Sequence, residues 1–235
     1  MSLAARELSL AISPRVGSVD AVLLRPEATR AMLVLGHGAG AGMRHHFLEG
    51  VSQALALEGI ATLRYEFPYM QRGSKRPDVP PILQATVRAA VNAAGLLAGG
   101  VPLFAGGKSM GGRMTSMAQA DRPLHGVEGL VFLGFPLHPA GAPATGRGDH
   151  LAAVHLPMLF LQGTRDRLAD LALLRPVVTG LGSRAVMHLL DGADHDFRVG
   201  YRDGPRQEEV LAWLARQVAG WIEGLQPVDR VRDIG

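Results

Sequence analysis

The sequence predicts an α/β fold: a mostly parallel central sheet with helices on both faces, opened by an antiparallel hairpin. Three observations predict it. From Ala31 onward, apolar runs of strand length alternate with segments of helical spacing, the pattern of a parallel sheet covered on both sides. Much of the glycine, 30 residues in all, sits in short clusters after those runs, where strands turn tightly into helices. Hydrophobic residues make up 47% and charged residues 19%, ample material for a globular core. No internal repeat or low-complexity segment interrupts the pattern, and residues 1–235 read as a single domain.

The elements follow in order. ELSLAI (Glu7 to Ile12) and VDAVLLRP (Val19 to Pro26), separated by Ser13, Pro14 and Gly17, form the opening hairpin. AMLVLGHG (Ala31 to Gly38) is a continuous apolar run ending in glycine, as a fully buried strand requires. Phe47, Val51 and Leu55 set a helix from about Arg44 to Glu58, with Gly59 as its stop. IATLRYEF (Ile60 to Phe67) is the next strand, and the polar loop YMQRGSKRPDVP leads to a helix over about Ile82 to Leu97. VPLFAGG (Val101 to Gly107) is a short buried strand, followed by a helix from Ser109 with Met110, Met114 and Met117 on its spacing. LVFLGF (Leu130 to Phe135), MLFLQG (Met158 to Gly163) and AVMHLLDG (Ala185 to Gly192) are strands, with a helix over about Leu168 to Leu181. The last helix runs from Gln207 to Leu225, and its stripe of Val210, Leu211, Leu214, Val218, Trp221 and Ile222 reads as core packing. The polar tail after Pro227 reads as surface.

Composition excludes several classes of function. There are no cysteines, hence no disulfide, thiolate nucleophile or cysteine-bound metal. The net charge is +3, the arginines are scattered, and aromatics are 5%, so no nucleic-acid partner is expected. Arg6 and Glu7 stand where a signal peptide needs an apolar core, and no uninterrupted apolar run reaches the length of a membrane span. The expectation is a cytoplasmic protein with no membrane partner.

The stretch GGKSMGG, Gly106 to Gly112, carries the chemistry. Gly-Lys-Ser ends a phosphate-binding loop, while Gly107-Lys108-Ser109-Met110-Gly111 fits the G-x-S-x-G elbow that presents a serine nucleophile. The phosphate loop needs glycine at position 102, which is Pro102, and the strand VPLFA leaves no room for such a loop. The elbow needs a buried strand, a sharp turn with serine at its apex, then a helix, and the sequence supplies that order. A serine also needs a base, and the base an orienting acid. Asp166 lies just past MLFLQG and His195 just past the last strand, although Asp191, Asp194 and Asp196 compete as the acid. The backbone N–H groups of Met110 and of Ala39, in Gly36-His37-Gly38-Ala39-Gly40, would form the oxyanion hole. No histidine pair stands at a ligand spacing, and His45-His46 reads as the start of a helix rather than a metal site.

LGHGAG, GGKSMGGR, GFPLHPAG and FLQGTRD together resemble the α/β-hydrolase superfamily, with the dienelactone-hydrolase-like branch as a large relative. They resemble still more the smaller hydrolase-like group that contains the testis-expressed and NSL-complex-subunit proteins. The resemblance covers about Ala31 to Trp221. It implies the α/β-hydrolase fold, Ser109 as nucleophile, Asp166 as acid, His195 as base, and an oxyanion hole along Gly38 to Gly40 and Met110. Dienelactone hydrolases proper carry cysteine as the nucleophile, where this chain carries serine.

Only Pro136 to Pro157 lies between LVFLGF and MLFLQG, too short for a cap domain, so the sequence predicts an ordered loop stiffened by Pro139 and Pro143 over a shallow, open site. Candidates for that site are His37, Gly38, Gly40, Lys108, Arg64 and Phe135. His37 alternatively fixes its own loop. Arg64, Lys108 and Arg113 either bias the site toward anionic substrates or, the favoured reading, pair with Glu66 and nearby acids as scaffold. Lys75 and Lys108 are the only lysines in a chain otherwise rich in arginine. The expected activity is that of a carboxylesterase or thioesterase acting on a small-molecule ester or acyl substrate, with no metal or organic cofactor. The alternative is a hydrolase-fold protein of weak or no activity that acts as a binding or complex subunit. The oligomeric state stays open, a homodimer being one arrangement.

Overall fold

A computed structural model describes residues 5–200 and 204–225. Eight strands form one sheet in the order β1-β2-β4-β3-β5-β6-β7-β8. β1 (Ala5–Ser13) and β2 (Gly17–Leu24) make the antiparallel hairpin, and β2 joins β4 (Ile60–Tyr65) antiparallel. The remaining neighbours run parallel: β3 (Ala31–Gly36), β4, β5 (Leu103–Lys108), β6 (Val127–Leu133), β7 (Met158–Gly163) and β8 (Ala185–Leu190). Every residue of β3, β4, β5 and β7 is buried, which is why their sequences read as unbroken apolar runs without alternation.

Two cores lie on opposite faces of this sheet. α1 (His46–Leu57) and α6 (Gln207–Leu225) cover one face, where Phe47, Val51 and Leu55 meet Val210, Leu214 and Val218 around Leu33, Leu35 and Leu159. On the other face α3 (Pro80–Leu97), α4 (Met110–Asp121) and α5 (Leu171–Gly180) pack Val87, Met114 and Leu174 around Val34, Ala105 and Phe160. Burying one such aliphatic or aromatic side chain contributes about 1.5–3 kcal/mol. The α6 stripe is buried at Val210, Leu214, Val218 and Ile222, and Leu211 and Trp221 are partly covered.

The differences from the sequence reading are local and have physical causes. The loop after β4 contains a short helix, α2 (Pro68–Gln71), started by Pro68, whose fixed φ suits a first helical position. α3 begins two residues earlier than expected, at Pro80, for the same reason. α5 begins three residues later, because Asp170 caps it by accepting the Ala172 N–H. Between β6 and β7 the chain forms no cap; a 3-10 helix, Gly146–Ala153, packs against α4 and is anchored by buried Leu151 and Val154. The tail after Pro227 lies outside the described residues. Among those residues no helix is long and apolar enough to cross a membrane.

The middle of the sheet is drawn together by glycine. Gly36 at the end of β3 pairs in register with Gly107 of β5. A Cβ on Gly107 would stand 2.2 Å from the Gly36 carbonyl oxygen, and a Cβ on Gly111 would meet the same oxygen at 2.2 Å. Backbone cannot yield as a flexible side chain does, so Gly111→Ala is expected to destabilise by about 1–3 kcal/mol or more in urea unfolding. Gly95 in α3 faces open space, and Gly95→Ala should instead stabilise by about 0.5–1 kcal/mol.

Candidate active site

β5 runs without a loop into Ser109, which sits between strand and helix at φ 50° and ψ −116°. Among the described residues only Ser109 and Phe197 are non-glycine residues with positive φ, and both belong to this region. Such a conformation costs about 1–3 kcal/mol and persists only where the surroundings enforce it. Here β3 enforces it, through the contact of Gly36 with Gly107 and Gly111. Ser109 N–H also donates to the Leu133 carbonyl at the end of β6.

Three side chains from three strand ends meet in one line. His195 Nε2 lies 2.8 Å from Ser109 Oγ, and His195 Nδ1 lies 2.6 Å from Asp166 Oδ2. The Asp166 side chain is fully buried and that of His195 is 20% exposed. Asp166 is held twice more: its Oδ1 accepts the Leu168 N–H at 2.7 Å, and its Oδ2 accepts from the Gln162 amide. An imidazole held between a buried carboxylate and a hydroxyl can take the hydroxyl proton. The competing aspartates are engaged elsewhere. Asp191 accepts from Thr164 Oγ1, Asp194 accepts the Asp196 and Arg198 N–H groups within its own loop, and Asp196 is exposed.

The loop after β3 faces the serine. Gly38 lies beside it, since a Cβ there would stand 3.7 Å from Ser109 Cβ, and Ala39 lines the surrounding space. Among the described residues neither Ala39 N–H nor Met110 N–H donates to another protein group. Gly40 N–H is occupied, donating to the Tyr69 hydroxyl at 3.1 Å.

Three of the sequence candidates lie outside this space. His37 is fully buried beneath the loop, with Nδ1 at 2.7 Å from the Gly38 carbonyl and Nε2 accepting the Phe67 N–H; it braces the backbone. Arg64 is also buried: it donates to the Met43 carbonyl and pairs with Glu49 at 3.4 Å rather than with Glu66, which takes the Met43 N–H. Phe135 packs into an aromatic cluster with Phe132 and Phe160 and is 1% exposed. His37 and Phe135 follow apolar strands and Arg64 lies at the end of one, and the depth of each depends on how the neighbouring loop folds back, which no local pattern encodes.

Lys108 acquires a definite place. Its ammonium donates to the His195 carbonyl at 2.6 Å and lies about 6 Å from the rings of Phe47 and Phe197, which stack on one another. Burial pushes its pKa down to about 8, against the pull of Asp196, Asp166 and Asp194. No carboxylate pairs with it directly among the described residues. Gln162 is the residue that sequence reasoning missed. It bridges Asp166 and the Phe135 N–H, and the available signal was a polar residue in an otherwise apolar buried strand.

Two cavities meet at Ser109. The first, about 380 Å³, is lined by Gly38 to Ala41, His45, His46, Lys108 and His195. The second, about 370 Å³, lies beyond Met110 along α4. Among the described residues no group of three or more His, Asp or Glu side chains comes together as ligands for an ion.

Comparisons with known proteins agree with this architecture. A family model described as an alpha/beta hydrolase domain matches residues 29–223. Among solved structures the chain is similar to a dienelactone hydrolase from Anabaena variabilis, at 18% identity and a TM-score of 0.76, over 95% of this chain and 99% of that one. It is also similar to an α/β serine hydrolase without lid from Xanthomonas campestris, at 19% identity and TM-score 0.72, over 94% and 96% of the two chains. A third is the esterase domain of a Rhodothermus marinus protein, at 16% identity and TM-score 0.70, over 94% and 99%.

Lys108 fixes the His195 backbone, so Lys108→Met is expected to lower turnover by about 10- to 100-fold whatever the charge of the substrate, since small misplacements at a reacting group cost that much. It also predicts a stability signature. Between pH 8 and 10.5 the unfolded chain keeps a proton on Lys108 that the folded chain has released, so this group makes the fold more stable as pH rises through that window. Thermal unfolding from pH 8 to 10.5 should show that slope reduced in Lys108→Met.

Proposed function

The chain belongs to the α/β-hydrolase family, and on that premise we propose that it is a serine hydrolase cleaving a carboxylic ester or thioester through a covalent acyl-enzyme. The observation that carries the reading is the unbroken hydrogen-bonded line from Ser109 Oγ through His195 to buried Asp166.

Ser109 Oγ attacks the carbonyl carbon while His195 Nε2 takes its proton. Asp166 holds His195 in the tautomer whose Nδ1–H points at the carboxylate, and stabilises the imidazolium that forms. The carbonyl oxygen, now negative, accepts from the N–H groups of Met110 and Ala39, and the N-terminus of α4 adds a favourable dipole. The intermediate collapses, His195 returns the proton to the departing alcohol or thiol, and Ser109 is left acylated. Water then attacks the acyl carbon, giving its proton to His195, and the acid leaves with Ser109 restored. The oxyanion donors are backbone groups, one at the first residue of α4 and one in the loop after β3, so they need little reorganisation as charge develops.

A fluorophosphonate probe tests the assignment. The wild type should label, Ser109→Ala should not, and His195→Ala should label at least 100-fold more slowly, in line with the loss of a general base. Circular dichroism establishes that each variant is folded. Labelling that persists in Ser109→Ala, or a folded wild type that does not label, would sink the proposal and favour a binding or complex-forming role.

A further inference from the structure

The second cavity contains an unanswered charge. Arg113 stands one turn along α4 from Ser109, and helical side chains lean toward the helix N-terminus, which brings its guanidinium back toward the serine. It is partly buried, which lowers its pKa, and Arg147 from the 3-10 helix adds a second repelling positive charge. Its Nε is buried without a hydrogen-bond partner, and among the described residues its side chain hydrogen-bonds through Nη1 to Met117 Sδ at 3.7 Å. Among the described residues neither Arg113 nor Arg147 pairs with a carboxylate, so the sequence expectation of a scaffold ion pair fails here. Asp78 lines the same cavity, but its Oδ1 is held by Arg72 at 2.7 Å and its Oδ2 is buried without a partner. Asp149, on the same 3-10 helix as Arg147, is exposed, does not line the cavity, and among the described residues pairs with neither guanidinium, so Arg113 has no paired counter-ion here. A partly desolvated cation without a counter-ion is costly, and that cost is relieved when an anion docks.

The two cavities also differ in what they can hold. A leaving group must receive its proton from His195, which lines the first cavity and not the second. Met110, whose N–H faces the carbonyl oxygen, lines the second. The acyl chain therefore lies along Leu83, Met110 and Met114, with Arg113 and Arg147 within its reach. Resting on the reading of Ser109 as nucleophile, we propose that this cavity selects acyl groups ending in a carboxylate, so that the substrates are half-esters or half-thioesters of dicarboxylic acids. The four-residue step from Ser109 to Arg113 advances about 6 Å along the helix, which suits a short methylene spacer between the two carbonyl carbons.

The test compares mono-4-nitrophenyl adipate with 4-nitrophenyl hexanoate, which share chain length and leaving group. The wild type should favour the adipate in kcat/KM by about tenfold or more, the order expected of a charge-assisted hydrogen bond. Arg113→Gln and Arg147→Gln should each shrink that ratio, Arg113→Lys should keep part of it, and added salt should narrow it. A binding measurement separates this inference from the catalytic reading. Adipate should raise the melting temperature of Ser109→Ala and not of Ser109→Ala/Arg113→Gln, while hexanoate should not distinguish the two. A wild type that turns over both esters equally, or arginine variants that slow both equally, overturns the inference and leaves the serine hydrolase intact. Arg113-dependent adipate binding without turnover of either ester supports the cavity assignment and overturns the catalytic reading.

Discussion

The site depends on one close backbone contact. Gly36, Gly107 and Gly111 bring β3 against the junction of β5 and α4 at a distance where a Cβ would overlap the Gly36 carbonyl oxygen. That contact has two effects. It holds Ser109 at a positive φ that a free chain would leave, and it carries the loop after β3 alongside the serine, so that Ala39 and Met110 line the same space. Side chains elsewhere in the core can be exchanged for others of similar volume; this junction has no volume to exchange.

Around the serine, geometry is fixed by polar groups that close on one another. Gln162 at the end of β7 spans Asp166 and the Phe135 amide, and Asp166 spans Gln162, Leu168 N–H and His195. Lys108, the residue before the serine, reaches the carbonyl of His195, tying the serine end of the line to its middle. Thr164 links the loops after β7 and β8 through Asp191 and Gly192. The His195 loop has its own strain at Phe197, φ 58°, held by full burial of that ring and its stacking on Phe47. Side chains locked in this way reach a bound substrate already positioned.

The charges divide into two kinds, a distinction that sequence could not make. Arg64 and Lys108 are both buried and each donates to a backbone carbonyl, Met43 and His195 respectively, and Arg64 also pairs with Glu49. Arg113 is the exception, because the 3-10 helix that packs on α4 brings Arg147 toward it, while that helix's Asp149 is exposed and among the described residues pairs with neither arginine. The segment between β6 and β7, too short to form a cap, thus still shapes the site by lining one of its two cavities with Arg147.

The sequence by itself determined the order of strands and helices and the central glycines, because buried parallel strands and tight strand-to-helix turns each demand a narrow choice of residues over a few adjacent positions. It also singled out Ser109, Asp166 and His195, since each follows directly on a strand whose end the apolar pattern marks. Tertiary structure decided what adjacency does not encode. It selected Asp166 over Asp191, Asp194 and Asp196 as the partner of His195, because the loop after β7 brings the Asp166 carboxylate to 2.6 Å from His195 Nδ1 while the others are engaged or exposed elsewhere. It placed His37, Arg64 and Phe135 beneath the site rather than in it, and gave Lys108 a carbonyl 87 residues away as its partner. Those outcomes depend on how loops distant in sequence fold across the same sheet edge, and a local pattern of residues holds no record of that.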